Sequence, residues 1–229
     1  FNWINSDDVL EAGSLFKIAE AYTANPDKKV FCFRLNYLSG NKKEIFKLQN
    51  NPKDRVQCFC DPVIAQPAAF FSADAVKKMG EVNPLLHYSM DYEWWLKLMF
   101  LYGEQCIFTS KEPVASFRTH EGAKTSKGNH HFVNDMAGML YSLSGKAGLK
   151  KYQEILSQVF EINKKYDFII SLEKIDRNII ERMVVYFLLK WKSSVYTKND
   201  FLFSKVIFKE INGQKIDLSH KELLWLNAM

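Results

Sequence analysis

Segments with helical periodicity alternate with runs of β-branched and aromatic residues over the first half of the chain, and this alternation favours a fold of the α/β class. Apolar residues recur at helical spacing over residues 15–22, and the Asn-Pro-Asp sequence at 25–27 ends that helix. Residues 30–35 have the pattern of a strand, and residues 39–48 are typical of the turn and return strand of a hairpin. The sequence therefore predicts a sheet with flanking helices.

The same alternation continues up to residue 120. It predicts a buried strand over 63–71, interrupted by Pro67, helices over 73–79 and 90–102, and short strands over 106–108 and 114–117. Ser72 and Ser89 stand at the N-caps of the two helices, and Gly80 and Gly103 stand at their C-terminal ends.

The composition changes at residues 121–129, which are small, polar and basic, and helical patterns follow this segment. The predicted helices cover 131–143, 149–164, 172–192 and 198–211, with a capping box for a last short helix at 219–222 and a polar loop earlier at 50–55. We therefore predict an α/β domain over residues 1–126 and an α-helical extension over residues 127–229.

Charge and hydrophobicity restrict the class of partner. The net charge of +5 suits an anionic partner such as a nucleotide diphosphate or an acidic membrane surface, but the lysines are scattered, so no nucleic-acid binding is predicted. The longest apolar run of the C-terminal part, 183–189, is much shorter than the roughly 20 residues of a membrane-spanning helix. The four cysteines lack the spacing of a structural zinc site, and we expect thiols, several of them in the core.

Two adjacent carboxylates, Asp7 and Asp8, follow a short apolar segment at the start of the sequence. Carboxylate oxygens are hard ligands that suit Mg²⁺ or Mn²⁺, and such ions keep open positions for the phosphates of a nucleotide. The alternative is that Ser6, Asp7 and Asp8 only favour a helix N-terminus, where they meet unpaired N–H groups. Taken alone, the pair does not decide between a metal site and a helix start.

Four blocks in order resemble the family 2 glycosyltransferases, which use nucleotide-sugar donors and have the GT-A fold. The blocks are residues 3–8, residues 66–71, residues 88–96 with the sequence YSMDYEWWL, and the SFRTH sequence at 116–120 followed by Lys124 and Thr125. The resemblance covers residues 1–126 and implies a partial GT-A domain, a Rossmann-like mixed sheet with flanking helices. It also implies that the native protein continues upstream of Phe1, because the nucleobase-binding strand and loop of a GT-A domain precede its paired acids.

The resemblance implies a role for three acids and one histidine of these motifs. Asp8 is expected to reach the metal, Asp7 to contact the metal or the ribose, and His120 to join the metal or the diphosphate. Asp91, at a helix N-terminus, matches the family's catalytic base, although the acidic neighbour that usually precedes it is Met90 here. His120 is otherwise an ordinary loop histidine, and the helix dipole would stabilise Asp91 whatever its role.

The donor and acceptor contacts are also expectations from the resemblance. Donor-binding candidates are Gln66, Ala68, Arg118 and Lys124, where small alanines replace the glycine that many GT-A enzymes have in this block. Acceptor-binding candidates are Tyr88, Glu93, Trp94 and Trp95; the two tryptophans are adjacent on a helix, so one is expected in the core and the other at the acceptor.

The expected function is metal-dependent sugar transfer from a nucleotide-diphosphate donor to a glycan or lipid-linked acceptor, with inversion at the anomeric carbon, in cell-surface polysaccharide biosynthesis. The expected location is cytoplasmic, with a peripheral contact at the inner face of the plasma membrane. Two alternatives belong to other classes. One is a metal-dependent phosphate-ester hydrolase that uses the same acids, and the other is a non-catalytic GT-A remnant that acts as a binding or scaffold module.

Overall fold

The computed structural model describes residues 1–39, 42–45, 55–60, 62, 64–124 and 130–192. The chain divides into two compact units, one containing residues 1–51 and 63–131 and the other containing residues 52–62 and 132–229. The strands are β1 (Val9–Leu10), β2 (Val30–Ser39), β3 (Lys42–Ile45), β4 (Ala69–Phe71) and β5 (Ile107–Arg118). The helices are α1 (Ser14–Ala24), α2 (Arg55–Cys60), α3 (Ala73–Met79), α4 (Met90–Tyr102), α5 (His130–Lys146), α6 (Lys150–Val159) and α7 (Arg177–Lys192).

The first unit is built on a mixed sheet, which confirms the predicted α/β class. Its long strands β2 and β5 run parallel, from Val30 beside Ile107 to Leu38 beside Arg118. The short strand β1 extends the β5 side in antiparallel direction, and β3 and β4 each pair antiparallel with β2. No helix within the described residues is long and apolar enough to cross a membrane.

One hydrophobic cluster of this unit forms between the sheet and α1. Phe31, Phe33 and Leu35 alternate along β2 and pack with Val114 and Ala115 of β5. Partly buried residues of α1 complete this cluster, including Ile18 and Ala21. The period of two in the strand and the helical spacing in α1 both direct apolar side chains to this layer.

Positive φ angles mark the ends of two helices where the sequence predicts them. Gly80 has a φ of 79° after α3, and Gly103 has a φ of 73° after α4. A residue with a Cβ rarely adopts these angles, so glycine is suited to stop each helix there. Ser72 and Ser89 occupy the N-cap positions as predicted, but neither side chain makes the capping hydrogen bond.

The predicted strand over 63–71 is wrong over most of its length. Gln66–Ala68 form a 3₁₀ turn and only Ala69–Phe71 are in a strand. Pro67 has no N–H for a sheet and a fixed φ, and the turn closes through the hydrogen bond from Ala68 N to Ala65 O, 2.7 Å.

The sequence predicts separate strands over 106–108 and 114–117, but β5 is one continuous strand. Its register shifts between the pairs Cys32–Thr109 and Arg34–Pro113, so extra residues on β5 are accommodated within the ladder. This irregularity surrounds Pro113, where a missing N–H interrupts regular pairing. The polar residues of the irregular part resemble a loop in the sequence.

The second unit is helical in its described residues. Helix α7 packs against α2 and α6, and Leu156, Phe168 and Ile180 are among its fully buried side chains. Helix α6 ends at Val159, before the predicted end at residue 164. The predicted helix over 172–192 is interrupted, because a 3₁₀ turn at Leu172–Lys174 precedes α7.

Two smaller differences and two open predictions remain in the helical parts. Helix α5 extends beyond the predicted 131–143 at both ends, and Arg55, predicted as loop, begins α2. Residues 198–211 and 219–222 lie outside the described residues, as do Gly40 and Asn41 of the hairpin turn and residues 50–54 of the predicted loop.

All four cysteines are buried without a disulfide, and burial raises the pKa of the Cys106 thiol to about 12.

Candidate functional site

Strand β1 brings Asp8 to the end of β5. Val9 pairs with Ser116, so the residues before Val9 lie beside the last residues of β5. Asp8 Oδ1 accepts a hydrogen bond from Arg118 N, 3.3 Å, and Oδ2 accepts one from Asn5 Nδ2, 3.2 Å. Asp8 is only 8% exposed, and burial raises the pKa of its carboxyl, partly opposed by the Arg118 amide. Its carboxylate is therefore held by the protein on both oxygens.

Asp7 contacts a motif from the other end of the α/β domain. Its Oδ2 lies 2.9 Å from His120 Nε2, across 113 residues of sequence. Both side chains are partly exposed, at 33% for Asp7 and 44% for His120. The hydrogen bond with His120 lowers the pKa of Asp7. Of the two acids, Asp7 is therefore the more exposed one, and its partner His120 is a residue type that can bind a metal.

We expect replacement of His120 to change the titration of Asp7. In His120→Ala the pKa of Asp7 should rise toward its ordinary value, because the first cause of its depression is removed. A depressed pKa stabilises the fold above the unfolded pKa, and this contribution is lost as pH falls through the folded pKa. The variant should therefore lose less stability on acidification.

Carboxyl NMR titration with site assignment measures this change. Glu112 is a matched control, because a hydrogen bond from Lys17 lowers its pKa in the same direction. The Glu112 titration should be the same in both proteins. An unchanged Asp7 titration in His120→Ala would contradict the assigned contact.

The chemistry of Asp7 and His120 fits Mg²⁺ or Mn²⁺. Carboxylate oxygen suits both ions, and imidazole nitrogen suits Mn²⁺. Among the residues that the structure describes, no group of three or more His, Cys, Asp or Glu side chains is arranged to hold a metal ion. Asp7 and His120 would hold the metal together with ligand oxygens, and Asp8 would support this end of the site from its bonded position.

A short turn after β5 links these acids to the loop before α4. The turn 120–124 closes through the hydrogen bond from Ala123 N to His120 O, 3.1 Å. At its far end, Lys124 Nζ donates to His87 O at 2.9 Å and lies 5.7 Å from the centre of the Tyr88 ring. The same five residues thus contact Asp7 through His120 and the loop before α4 through Lys124.

Asp91 lies in the first turn of α4, two residues after Ser89. Its Oδ1 accepts a hydrogen bond from Tyr92 N at 2.8 Å. Burial raises the pKa of the Asp91 carboxyl, and the backbone hydrogen bonds oppose this only in part. A carboxylate with a raised pKa accepts a proton more readily than a solvated one, as a general base requires.

The two donor candidates of the second block, residues 66–71, lie in different surroundings. Gln66 is near the acids, because its Nε2 donates to Trp3 O and its Oε1 lies 3.4 Å from Asn5 Nδ2. Ala68 is fully buried in the core cluster of the sheet. Ala68 therefore offers no surface to a donor in this structure, whereas Gln66 borders Asp8 through Asn5.

Three acceptor candidates on α4 are buried. The exposed fractions are 0% for Glu93, 3% for Trp94 and 1% for Trp95, so both tryptophans are enclosed where one was expected at the acceptor. Trp94 packs edge-on against Trp3 at 5.2 Å between ring centroids. The fourth candidate, Tyr88, is partly exposed, and its ring stacks on His131 at 4.7 Å.

Asn5 and His131 belong to this region and were not predicted. Asn5 joins Asp8 to Gln66, and Asp8 N donates back to Asn5 O at 3.1 Å, as expected for a turn residue. The Asn-Ser sequence before the acids is a signal that could have identified it. His131 becomes a neighbour of Tyr88 only through the fold, and no sequence signal indicates it.

Comparison with known proteins adds no assignment. No family model matches the chain, and no curated protein matches it.

Proposed function

We propose that this chain carries the metal-binding and catalytic-base part of a GT-A glycosyltransferase. The reaction is sugar transfer, with inversion, from a nucleotide-diphosphate donor to a glycan or lipid-linked acceptor of cell-surface polysaccharide biosynthesis, at the cytoplasmic face of a membrane. One observation carries the proposal: the turn 120–124 contacts Asp7 at one end and the loop that precedes Asp91 at the other. A transferase needs these two functions, a phosphate site and a base, side by side.

The donor end of the site has the composition that a diphosphate requires. Asp7 and His120 would hold a divalent ion, which would supply Lewis acidity toward the phosphates of the departing nucleotide diphosphate. Arg118 follows on the same edge, and its Nε donates to Asp7 O at 3.3 Å. The guanidinium stands beside the acids, where it can contact phosphate oxygens.

The acceptor end is assigned to the start of α4. Asp91 accepts the proton of the attacking hydroxyl as that oxygen bonds to the anomeric carbon. Burial raises the pKa of Asp91. A raised pKa lies closer to neutral pH, which suits a general base. Tyr88, partly exposed on the preceding loop, contributes an aromatic side to this end.

A donor screen tests the proposal. The protein, expressed from its complete open reading frame, is incubated with Mn²⁺ and with UDP-, GDP-, dTDP- and CDP-sugars, and nucleotide diphosphate release is measured with and without a lipid-linked glycan acceptor. We expect release from one donor class, dependent on Mn²⁺ and increased by acceptor. Phosphate release that is indifferent to acceptor would identify a hydrolase, and absence of nucleotide binding with every donor would leave the scaffold alternative.

Asp7→Asn is expected to weaken Mn²⁺ binding at least about tenfold, because an amide is a poorer ligand than a carboxylate. Titration calorimetry with Mn²⁺ alone measures the affinity without need for a donor. Asp27→Asn is the matched control, since Asp27 is an exposed acid whose contact is with the neighbouring Lys28. Equal loss in both variants, or no loss in Asp7→Asn, would remove Asp7 from the proposed metal site.

A further inference from the structure

The loop between α6 and α7 in the second unit exposes two large apolar side chains. Ile169 is 72% exposed and Leu172 is 66% exposed. Among the described residues of this unit, they are the two exposed large hydrophobic residues, whereas most apolar residues of the adjoining helix α7 are buried. The exposure of large apolar side chains to water is unfavourable in free energy, and their transfer to an apolar environment is favourable.

Hydrogen bonds and buried side chains fix the loop that exposes Ile169 and Leu172 to the rest of the second unit. Tyr166 and Phe168 are buried on its inner side, and Phe168 N donates to Ser142 Oγ at 2.9 Å. The 3₁₀ turn at Leu172–Lys174 closes through the hydrogen bond from Ile175 N to Leu172 O, 3.1 Å. The exposure of Ile169 and Leu172 is therefore a property of the folded loop, with its inner residues anchored.

Four exposed basic residues lie on both sides of this apolar pair in the sequence, against two exposed glutamates of the same loop, Glu161 and Glu173. Lys164, Lys165, Lys174 and Arg177 are exposed, and no carboxylate of the described residues is paired with them. Two of the loop's acids are neutralised from elsewhere in the same unit. Lys146 lies 2.9 Å from Asp167, and Arg55 lies 3.4 Å from Asp176.

We propose that this surface, Ile169 and Leu172 with their four basic neighbours, docks on an anionic lipid bilayer. The two apolar side chains enter the boundary between headgroups and acyl chains, and the lysines and arginine contact lipid phosphates. Apolar tips within a basic rim match this interface in both hydrophobicity and charge. The proposal is independent of the transferase reaction, because it requires neither donor nor acceptor.

Vesicle co-sedimentation of the complete protein tests the proposal. Wild type should bind phosphatidylcholine vesicles that contain phosphatidylglycerol more tightly than pure phosphatidylcholine vesicles. Ile169→Ser/Leu172→Ser should lower the partition coefficient about tenfold or more, since two buried side chains are lost from the bound state. Lys164→Glu/Lys165→Glu should remove the preference for phosphatidylglycerol, and so should about 1 M salt, which reduces the Debye length to about 3 Å.

Leu15→Ser/Phe16→Ser is the matched control, because it removes an equally exposed apolar pair from α1, at 66% and 77% exposure. It should bind vesicles like wild type, and circular dichroism should show that all variants are folded. The proposal is overturned if wild type ignores phosphatidylglycerol, if the loop variant binds unchanged, or if the control loses as much. It is also overturned if light scattering shows a dimer that Ile169→Ser/Leu172→Ser dissociates, since the occupant is then a second copy.

Discussion

Asp91→Asn is expected to lower the rate of sugar transfer about 10²- to 10⁴-fold, the range for loss of a general base. The asparagine side chain keeps the shape of Asp91 and can still accept the hydrogen bond from Tyr92 N, 2.8 Å in the wild type. Binding of Mn²⁺ should stay unchanged, because the proposed ligands are Asp7 and His120. The turnover number under saturating donor and Mn²⁺ is the measurement that separates the base from the metal site.

The same variant should gain stability. Burial raises the folded pKa of Asp91 above the unfolded value, so the native state favours the protonated form. The contribution of this carboxyl to stability is therefore greatest at low pH and falls as pH rises from the unfolded pKa through the folded one. Asparagine removes that loss, and the free energy of unfolding at neutral pH should increase in Asp91→Asn.

Asp74→Asn provides the control for both measurements. Asp74 is also a first-turn acid, on α3, but a hydrogen bond from Lys29 lowers its pKa to about 2. Its replacement should leave the turnover number unchanged and reduce stability slightly at neutral pH. A rate loss in Asp74→Asn equal to that in Asp91→Asn, or full activity in Asp91→Asn, would exclude Asp91 as the base.

Lys97→Met is expected to lower the free energy of unfolding by about 3–5 kcal/mol, the range for removing one partner of a buried ion pair. Glu93 and Lys97 are one helical turn apart on α4, 3.4 Å between Oε2 and Nζ, with exposed side-chain fractions of 0% and 6%. Methionine retains the length of the lysine stem but removes the charge, and the buried Glu93 carboxylate then loses its cationic partner. Urea unfolding at neutral pH measures the change.

Removing both charges should recover most of the loss. In Glu93→Gln/Lys97→Met no ion stays buried at this position, so the double variant should be more stable than Lys97→Met alone. Lys17→Met is the matched control, because its ion pair with Glu112 lies at the surface and should matter little. A similar effect of Lys17→Met and Lys97→Met would contradict the assigned burial of the α4 pair.

Local backbone chemistry explains the predictions that succeeded. Gly80 and Gly103 end their helices because the required positive φ is local, so no knowledge of the rest of the fold is needed. The irregular β5 and the short β4 are different cases. Their limits depend on pairing with β2, which the sequence of either strand does not contain.

The candidate site shows the same division. The motif order predicted a common site for Asp7, Asp8 and His120, and the structure brings Asp7 and His120 into contact. The motif order did not predict that Asp8 is buried and Asp7 partly exposed. The contacts of Asp8 with the Arg118 amide and the Asn5 side chain form only in the folded chain. Likewise, Trp94 and Trp95 are both enclosed because α4 has no broad solvent-facing side over residues 93–100.

The Arg118 amide that binds Asp8 also determines when the site can form during synthesis. The two residues are 110 positions apart, and β5 must pair with β1 before the contact exists. A nascent chain that has released only the acids and β2 cannot form this contact, because it does not yet contain Arg118. Forming the contact also closes a long loop, and the entropy cost of closure precedes the gain from the contact. The Asp8–Arg118 contact therefore requires that β5 has been synthesised and has joined β1.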